Sequence, residues 1–198
     1  FEKISTRLEH LRGSLNVSVS RVAQKVVACL RDNIKTSEID SLAASVAVDM
    51  YTSHQDYSRF AANIEISNLH KMTAPTFERA MKRAFDAGLV TEQFYQLVHA
   101  HADTFNNAME ANDDFSYDYF GFRTLAESYL LSDGEEIIER PQYMWMRTAI
   151  SIHGEDISRG VETWRCFRDK LFTHASPTLF NAGTEKPQLA SCFLLQIQ

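Results

Sequence analysis

The sequence predicts a mainly α-helical protein that turns to β structure only near its far end. Three observations carry this. Apolar residues recur at helical spacing through most of the chain, helix stop signals punctuate them, and an apolar run suited to a strand appears only after Pro187. With 198 residues, 44% hydrophobic and 23% charged, the chain can bury a substantial core. Its net charge of −6 argues against nucleic acid or an anionic membrane as partner, since both call for clustered Lys and Arg, but leaves room for a local pocket of cations around a single nucleotide. No apolar run reaches transmembrane length and no signal peptide opens the chain, which makes the cytoplasm the expected location. Three cysteines, Cys29, Cys166 and Cys192, lie far apart and outside any metal-ligand spacing, so free thiols are expected and no metal.

Phe1, Ile4, Leu8 and Leu11 mark a first helix stopped by Gly13. Val19, Val22, Val26 and Leu30 mark a second, running to Asp32-Asn33. The third starts at Thr36-Ser37, where Ser37 and Asp40 have capping-box spacing, and continues through Ile39, Leu42, Val46 and Met50. Tyr57, Phe60, Ala61 and Ile64 define a fourth, ending near His70-Lys71. Four short amphipathic helices make a bundle.

Pro75 opens a helix through Phe77, Met81 and Phe85 to Gly88, and Thr91 caps another carrying Phe94, Leu97 and Val98. His99 and His101 are two apart and face different ways on a helix, which argues against a metal site. The acidic stretch from Glu110 to Asp114 reads as a solvated loop. Phe115 to Leu125 is dense in aromatics around Gly121 and forms core. Asp133-Gly134, between Tyr129–Leu131 and Ile137-Ile138, signals a hairpin. A helix then begins at Glu139-Arg140-Pro141, and a last one, Asp156 to Phe172, carries Ile157, Val161, Trp164 and Leu171 on one face.

The remaining stretch packs small polar residues around two turn signals, Ser176-Pro177 and Asn181-Ala182-Gly183. Gln188 to Gln196 reads as a buried strand bearing Cys192. By residue type alone Cys192, Cys29 and Cys166 read as packing thiols, Ser176 and Ser191 as turn formers, and His174 as structural. Lys3 and Arg7 read as a solvated cationic pair, Ser37 and Asp40 as helix caps, and Lys71 as a charge favoured by a helix C-terminus.

The stretch Thr173-His174-Ala175-Ser176-Pro177-Thr178-Leu179-Phe180-Asn181-Ala182-Gly183, followed by Leu189-Ala190-Ser191-Cys192-Phe193-Leu194-Leu195, closely resembles the first active-site segment of the class I ribonucleotide reductase large, catalytic subunit. Phe115–Leu125 and Glu139–Arg147 resemble further signatures of that family, in the same order. Phe1-Glu2-Lys3-Ile4, Thr36-Ser37-Glu38-Ile39-Asp40 and Ile66-Ser67-Asn68-Leu69-His70-Lys71 resemble its ATP-cone, the nucleotide-sensing regulatory domain. The chain opens inside a first helix with no initiator Met and reads as an N-terminal piece whose cone lacks its first strand.

The resemblance implies an organisation of 1–72 as cone, 73–172 as helical N-terminal domain, and 173–198 as the start of a ten-stranded α/β barrel. It implies ATP or dATP as allosteric effectors at Lys3, Ile4, Arg7, Val26, Thr36, Asp40 and Lys71. It implies a ribonucleoside diphosphate substrate held by Ala175, Ser176 and Ser191, and Cys192 as a redox-active thiol in a thiyl-radical reduction. A separate metal-containing small subunit, thioredoxin or glutaredoxin, and other copies of the large subunit are the implied partners. The piece alone is expected to be inactive. The rival reading is a non-catalytic nucleotide-sensing module of the same origin, which has no need of the Ser191-Cys192 thiol.

Overall fold

The computed structural model describes residues 1–31 and 33–195, apart from the side chains of Thr36 and Ser37. The described residues form α1 (Glu2–Arg12), α2 (Val19–Ala28), α3 (Thr36–Asp49), α4 (Asp56–Met72), α5 (Phe77–Asp86), α6 (Glu92–Ala100) and α7 (Ala102–Ala108). A 3-10 segment (Ala111–Ser116) follows, then α8 (Tyr119–Ser128), α9 (Pro141–His153), α10 (Ile157–Arg168) and α11 (Ser176–Asn181). Among the described residues β pairing is limited to two isolated antiparallel bridges, Val90 with Thr184 and Ser132 with Ile137. The helical prediction stands.

The chain divides into two compact units, Phe1–Lys71 with Asp114–Thr124, and Met72–Asp113 with Leu125–Gln198. In the first, Leu8, Val22, Val26, Ala44, Phe60 and Ile64 meet in one apolar core, with Tyr119 packed against it. The Tyr57 hydroxyl accepts the Ser18 N–H at 3.0 Å, and Asn63 donates to the Leu11 carbonyl at 2.9 Å, satisfying a carbonyl that the end of α1 leaves free. α2 stops at Ala28, short of the predicted Asp32-Asn33. Its buried stripe, Val19, Val22 and Val26, ends one turn earlier; Leu30 still packs against the core from beyond the helix end, where Asn33 takes φ 63°.

The acidic stretch is solvated as expected at Glu110 to Asn112 but not at its end. Asp114 is buried at 1% exposure, and its Oδ2 lies 2.7 Å from His70 Nε2 on α4. The Phe115 ring meets that imidazole edge-on, 5.5 Å between centroids. A carboxylate with an imidazole partner can be buried where its neighbours in sequence cannot.

In the second unit, Phe77, Ala80, Met81 and Ala84 bury one face of α5. Thr91 caps α6 by accepting the Phe94 N–H, as its position predicts. α9 is buried from Pro141 to Ile150, and α10 packs along it, Gly160 letting the backbones approach at Ile150. α10 ends at Arg168 rather than Phe172. Lys170 takes φ 58°, its N–H bonds Phe167 O, and the Leu171 N–H bonds Cys166 O, a Schellman close that leaves Leu171 72% exposed.

The predicted hairpin is present in minimal form: one antiparallel bridge, Ser132 with Ile137, and the Ile138 N–H on Leu131 O at 2.8 Å close the Asp133-Gly134 turn. Asp133 Oδ1 accepts the Glu135 and Glu136 N–H groups, and Arg83 donates to both Asp133 and Glu136. These bonds, the Glu136 N–H and Arg83 foremost, pull the Asp133 pKa down to about 2.

The predicted strand is a further correction within its described part, Gln188 to Leu195, where the backbone is irregular. A strand exists only through ladder bonds to a neighbour, and among the described residues none pairs with this stretch. Cys192 is consequently exposed, not buried, as are Phe193, Leu194 and Leu195. Cys29 is exposed and Cys166 half-buried, so neither is the core thiol that its residue type suggests.

Candidate functional site

Five of the seven residues implied for nucleotide sensing converge. Lys3, Ile4 and Arg7 on α1, Asp40 on α3 and Lys71 on α4, with Phe1, Glu2 and Ile39, line a cavity of about 490 Å³ within the first unit. The sequence builds it simply: Lys3 and Arg7 are four apart and share a face of α1, while Lys71 sits in the last turn of α4. Asp40 is not a solvated cap. It is 6% exposed, and its Oδ2 receives Arg7 Nη2 at 2.7 Å and Lys71 Nζ at 3.0 Å.

One buried carboxylate thus gathers two cations at the cavity wall, and Arg7 Nε is buried there with no hydrogen bond among the described residues. A second hollow of about 730 Å³ shares Glu2, Lys3 and Arg7 and continues along α1 to His10 and Ser67. Lys3, Arg7 and Lys71 together outweigh Asp40 and Glu2, so the cavity lining is cationic on balance, beside the apolar Phe1, Ile4 and Ile39. Nearby on α4, burial pushes the Glu65 pKa up, opposed by the Arg123 guanidinium and assisted by Asp40.

Val26 does not join them; it is fully buried in the core of the unit and lines neither hollow. The Thr36 side chain lies outside the described residues.

The second constellation lies on and after α11. Ala175 precedes the helix in extended conformation and Ser176 begins it. The Ser176 Oγ lies 2.9 Å from the Tyr129 hydroxyl, and the Tyr129 ring lies on Phe180, centroids 4.7 Å apart. Ser191 Oγ is 3.8 Å from Cys192 Sγ, both exposed. Asn181 donates to Gln188 O at 2.7 Å and Thr178 to Leu189 O at 3.1 Å, leading the chain from α11 toward Ser191.

Beneath α11 lies a buried ion pair. Arg147 and Glu139 have fully buried side chains and a two-armed contact, Nε to Oε1 at 2.6 Å and Nη2 to Oε2 at 3.0 Å. Arg147 also donates to Ala182 O at 2.6 Å and Leu179 O at 3.1 Å, and Glu139 Oε2 accepts the Leu131 N–H at 3.0 Å. Gly183 completes the seat. Its φ is +78°, and a Cβ there would lie 2.7 Å from Ser151 Oγ and 3.3 Å from Arg147 Cγ.

The family profile described as "Ribonucleotide reductase, all-alpha domain" matches residues 115–187, the stretch that holds Tyr129, Glu139, Arg147, Ser176 and Gly183. Over 213 residues the chain is 43% identical to the ribonucleoside-diphosphate reductase large subunit of Dictyostelium discoideum, covering 100% of this chain and 24% of the relative. Its counterpart in Caenorhabditis elegans is also 43% identical, with 98% of this chain and 26% of that protein aligned. The large chain from Schizosaccharomyces pombe is 41% identical over 100% of this chain and 26% of its own length. The chain belongs to the ribonucleoside-diphosphate reductase large-subunit family.

It spans about a quarter of the length of these relatives. Sequence reasoning missed three residues of this reductase-family segment. Tyr129 was hidden inside an apolar run, and Glu139 and Arg147 inside a helix-start signature. Their one local signal is that Met144, Trp145, Met146 and Ile150 leave α9 no solvated face on which Arg147 could lie. Among the described residues no three His, Cys, Asp or Glu side chains converge as a metal cage would require, and no helix is long and apolar enough to cross a membrane.

Proposed function

We propose that this chain is the regulatory and leading catalytic region of a ribonucleotide reductase large subunit, an enzyme that converts ribonucleoside diphosphates to deoxyribonucleoside diphosphates. What carries the reading is the identity of about 40% to reductase large subunits along the whole chain, extending through the exposed Ser191-Cys192 pair.

In this reading Cys192 is the redox thiol. Removing the 2′ hydroxyl of ribose as water takes two electrons and two protons, and two thiols supply them by closing to a disulfide. Cys192 gives one thiol, and a cysteine from the larger subunit gives the other. Thioredoxin or glutaredoxin reopens the disulfide, and the metal-containing small subunit supplies the radical that starts the chemistry. Ser176 and Ser191 offer hydroxyls, and Ala175 an extended backbone, to the diphosphate and ribose of the substrate. The segment after Gln188 becomes the first strand of the α/β barrel once neighbouring strands provide its ladder.

The cavity of Lys3, Ile4, Arg7, Asp40 and Lys71 is the ATP or dATP effector site of a cone-like domain, and the large subunits self-associate. Lys3, Arg7 and Lys71 meet phosphate oxygens, and Asp40 holds Arg7 and Lys71 in place. The protein works in the cytoplasm.

The deciding experiment expresses the full reading frame and assays cytidine diphosphate reduction with the small subunit and dithiothreitol. Turnover in the wild type that Cys192→Ser abolishes is expected. Equal turnover in both would reduce Cys192 to a bystander and overturn the reading.

A further inference from the structure

Resting on the reading that Ser176 contacts substrate, we propose that Tyr129 is a positioning residue of the substrate site, setting the proton of the Ser176 hydroxyl for a diphosphate or ribose oxygen. Leu130 and Tyr129 are neighbours in sequence, but only Leu130 is buried; Tyr129 is half-buried and keeps its hydroxyl at α11. Its backbone N–H bonds Leu125 O, so the last turn of α8 carries it. Ser176 and Phe180 are four apart on α11 and share one face, and Tyr129 touches both: the ring lies on Phe180 and the hydroxyl meets Ser176 Oγ at 2.9 Å. The phenol is thereby held at both ends.

The direction of that hydrogen bond follows from acidity. A phenol is a stronger donor than an aliphatic hydroxyl, which assigns Tyr129 the donor role and Ser176 the acceptor role. A serine hydroxyl has one proton and two lone pairs. With one lone pair engaged by Tyr129, the proton is left to point away from the phenol, toward an anionic acceptor. The donated bond also polarises the Ser176 O–H and strengthens what it gives. Without Tyr129 the Ser176 rotor is free, and on binding substrate it must be fixed in one of several orientations.

Tyr129→Phe removes only the phenolic oxygen and keeps the ring on Phe180, so the fold is retained. In the full-length subunit with its small subunit, cytidine diphosphate reduction by Tyr129→Phe should show kcat/KM lowered about three- to tenfold, the span of one net hydrogen bond, with most of the loss in KM. Ser176→Ala should lose as much or more, and the double variant no more than Ser176→Ala alone, because both changes remove the same contact. A Tyr129→Phe enzyme within twofold of wild type, a loss confined to kcat, or a double variant showing the product of two independent losses would each overturn the proposal while leaving the reductase reading intact. A wild-type protein that does not reduce cytidine diphosphate would overturn both.

Discussion

Arg147→Met is the most severe single change the second unit offers. It leaves the Glu139 carboxylate, fully buried, with the Leu131 N–H as its remaining partner named here, and strips a donor from the carbonyls of Leu179 and Ala182. Removing one partner of a buried ion pair costs about 3–5 kcal/mol, and the two carbonyls add about 1 kcal/mol or more, giving a loss of at least about 4 kcal/mol. For a chain of this size that lowers the thermal midpoint by about 8–16 °C. Both tryptophans, Trp145 on α9 and Trp164 on α10, are buried in this unit, so their fluorescence reports its unfolding. Adding Glu139→Gln removes the stranded charge while keeping an acceptor for Leu131, and the double variant should regain roughly half of the loss. A single-variant loss below about 1 kcal/mol, or a double variant no better than the single, would show that the pair does not hold α11 in the way its geometry requires.

Gly183→Ala combines a φ of +78° with a Cβ 2.7 Å from Ser151 Oγ and 3.2 Å from Phe94; it should cost about 2–4 kcal/mol, read by the same fluorescence. If the cavity of Lys3, Arg7, Asp40 and Lys71 holds ATP as proposed, Lys71→Ala removes one cation from it and should weaken ATP binding, measured by calorimetry, about tenfold or more, whereas an unchanged affinity would remove Lys71 from the site. Burial raises the Glu65 pKa, so the folded chain holds that proton more tightly than the unfolded one and stability falls as pH rises through the raised value. Glu65→Gln escapes this penalty: it should be the more stable protein at neutral pH in urea titrations, the advantage disappearing below the ordinary carboxyl value of 4.5.

What the sequence made legible was local. Helix positions follow from apolar spacing and from caps such as Thr91 and Asp156, and both are properties of a few consecutive residues. One difference is itself local: Leu171 continues the apolar face of α10, but the Schellman close at Lys170 ends the helix first. Others fall where a distant group decides. Asp114 looked solvated because its partner, His70, is 44 residues away. Tyr129 and Ser176 are 47 apart, and nothing near either announces the other. Arg7 and Lys3 did show their shared face through their spacing, but the buried Asp40 that gathers Arg7 and Lys71 could be named only through the family resemblance.

The stretch after Pro187 shows why the two kinds of legibility separate. Leu189, Phe193, Leu194 and Leu195 are an apolar run of strand character, and their exposure here reaches 104% at Leu194. A helix closes its hydrogen bonds within its own residues, whereas a strand closes them on a neighbour. The same composition that foretells a buried strand therefore cannot make one among residues 1–195, where α11 and Gly183 are firmly seated by Arg147 and the run beyond them has only the tethers from Thr178 and Asn181. Cys192 stands at that transition. Its thiol is exposed because the chain up to Gly183 is anchored through helices, while the chain carrying the sulfur would acquire its walls only from strands that pair with it. Within the helical unit Tyr129 is held by Ser176 and Phe180 and Arg147 by Glu139 and two carbonyls, whereas Cys192 sits on a stretch whose hydrogen bonds are not closed by its own unit.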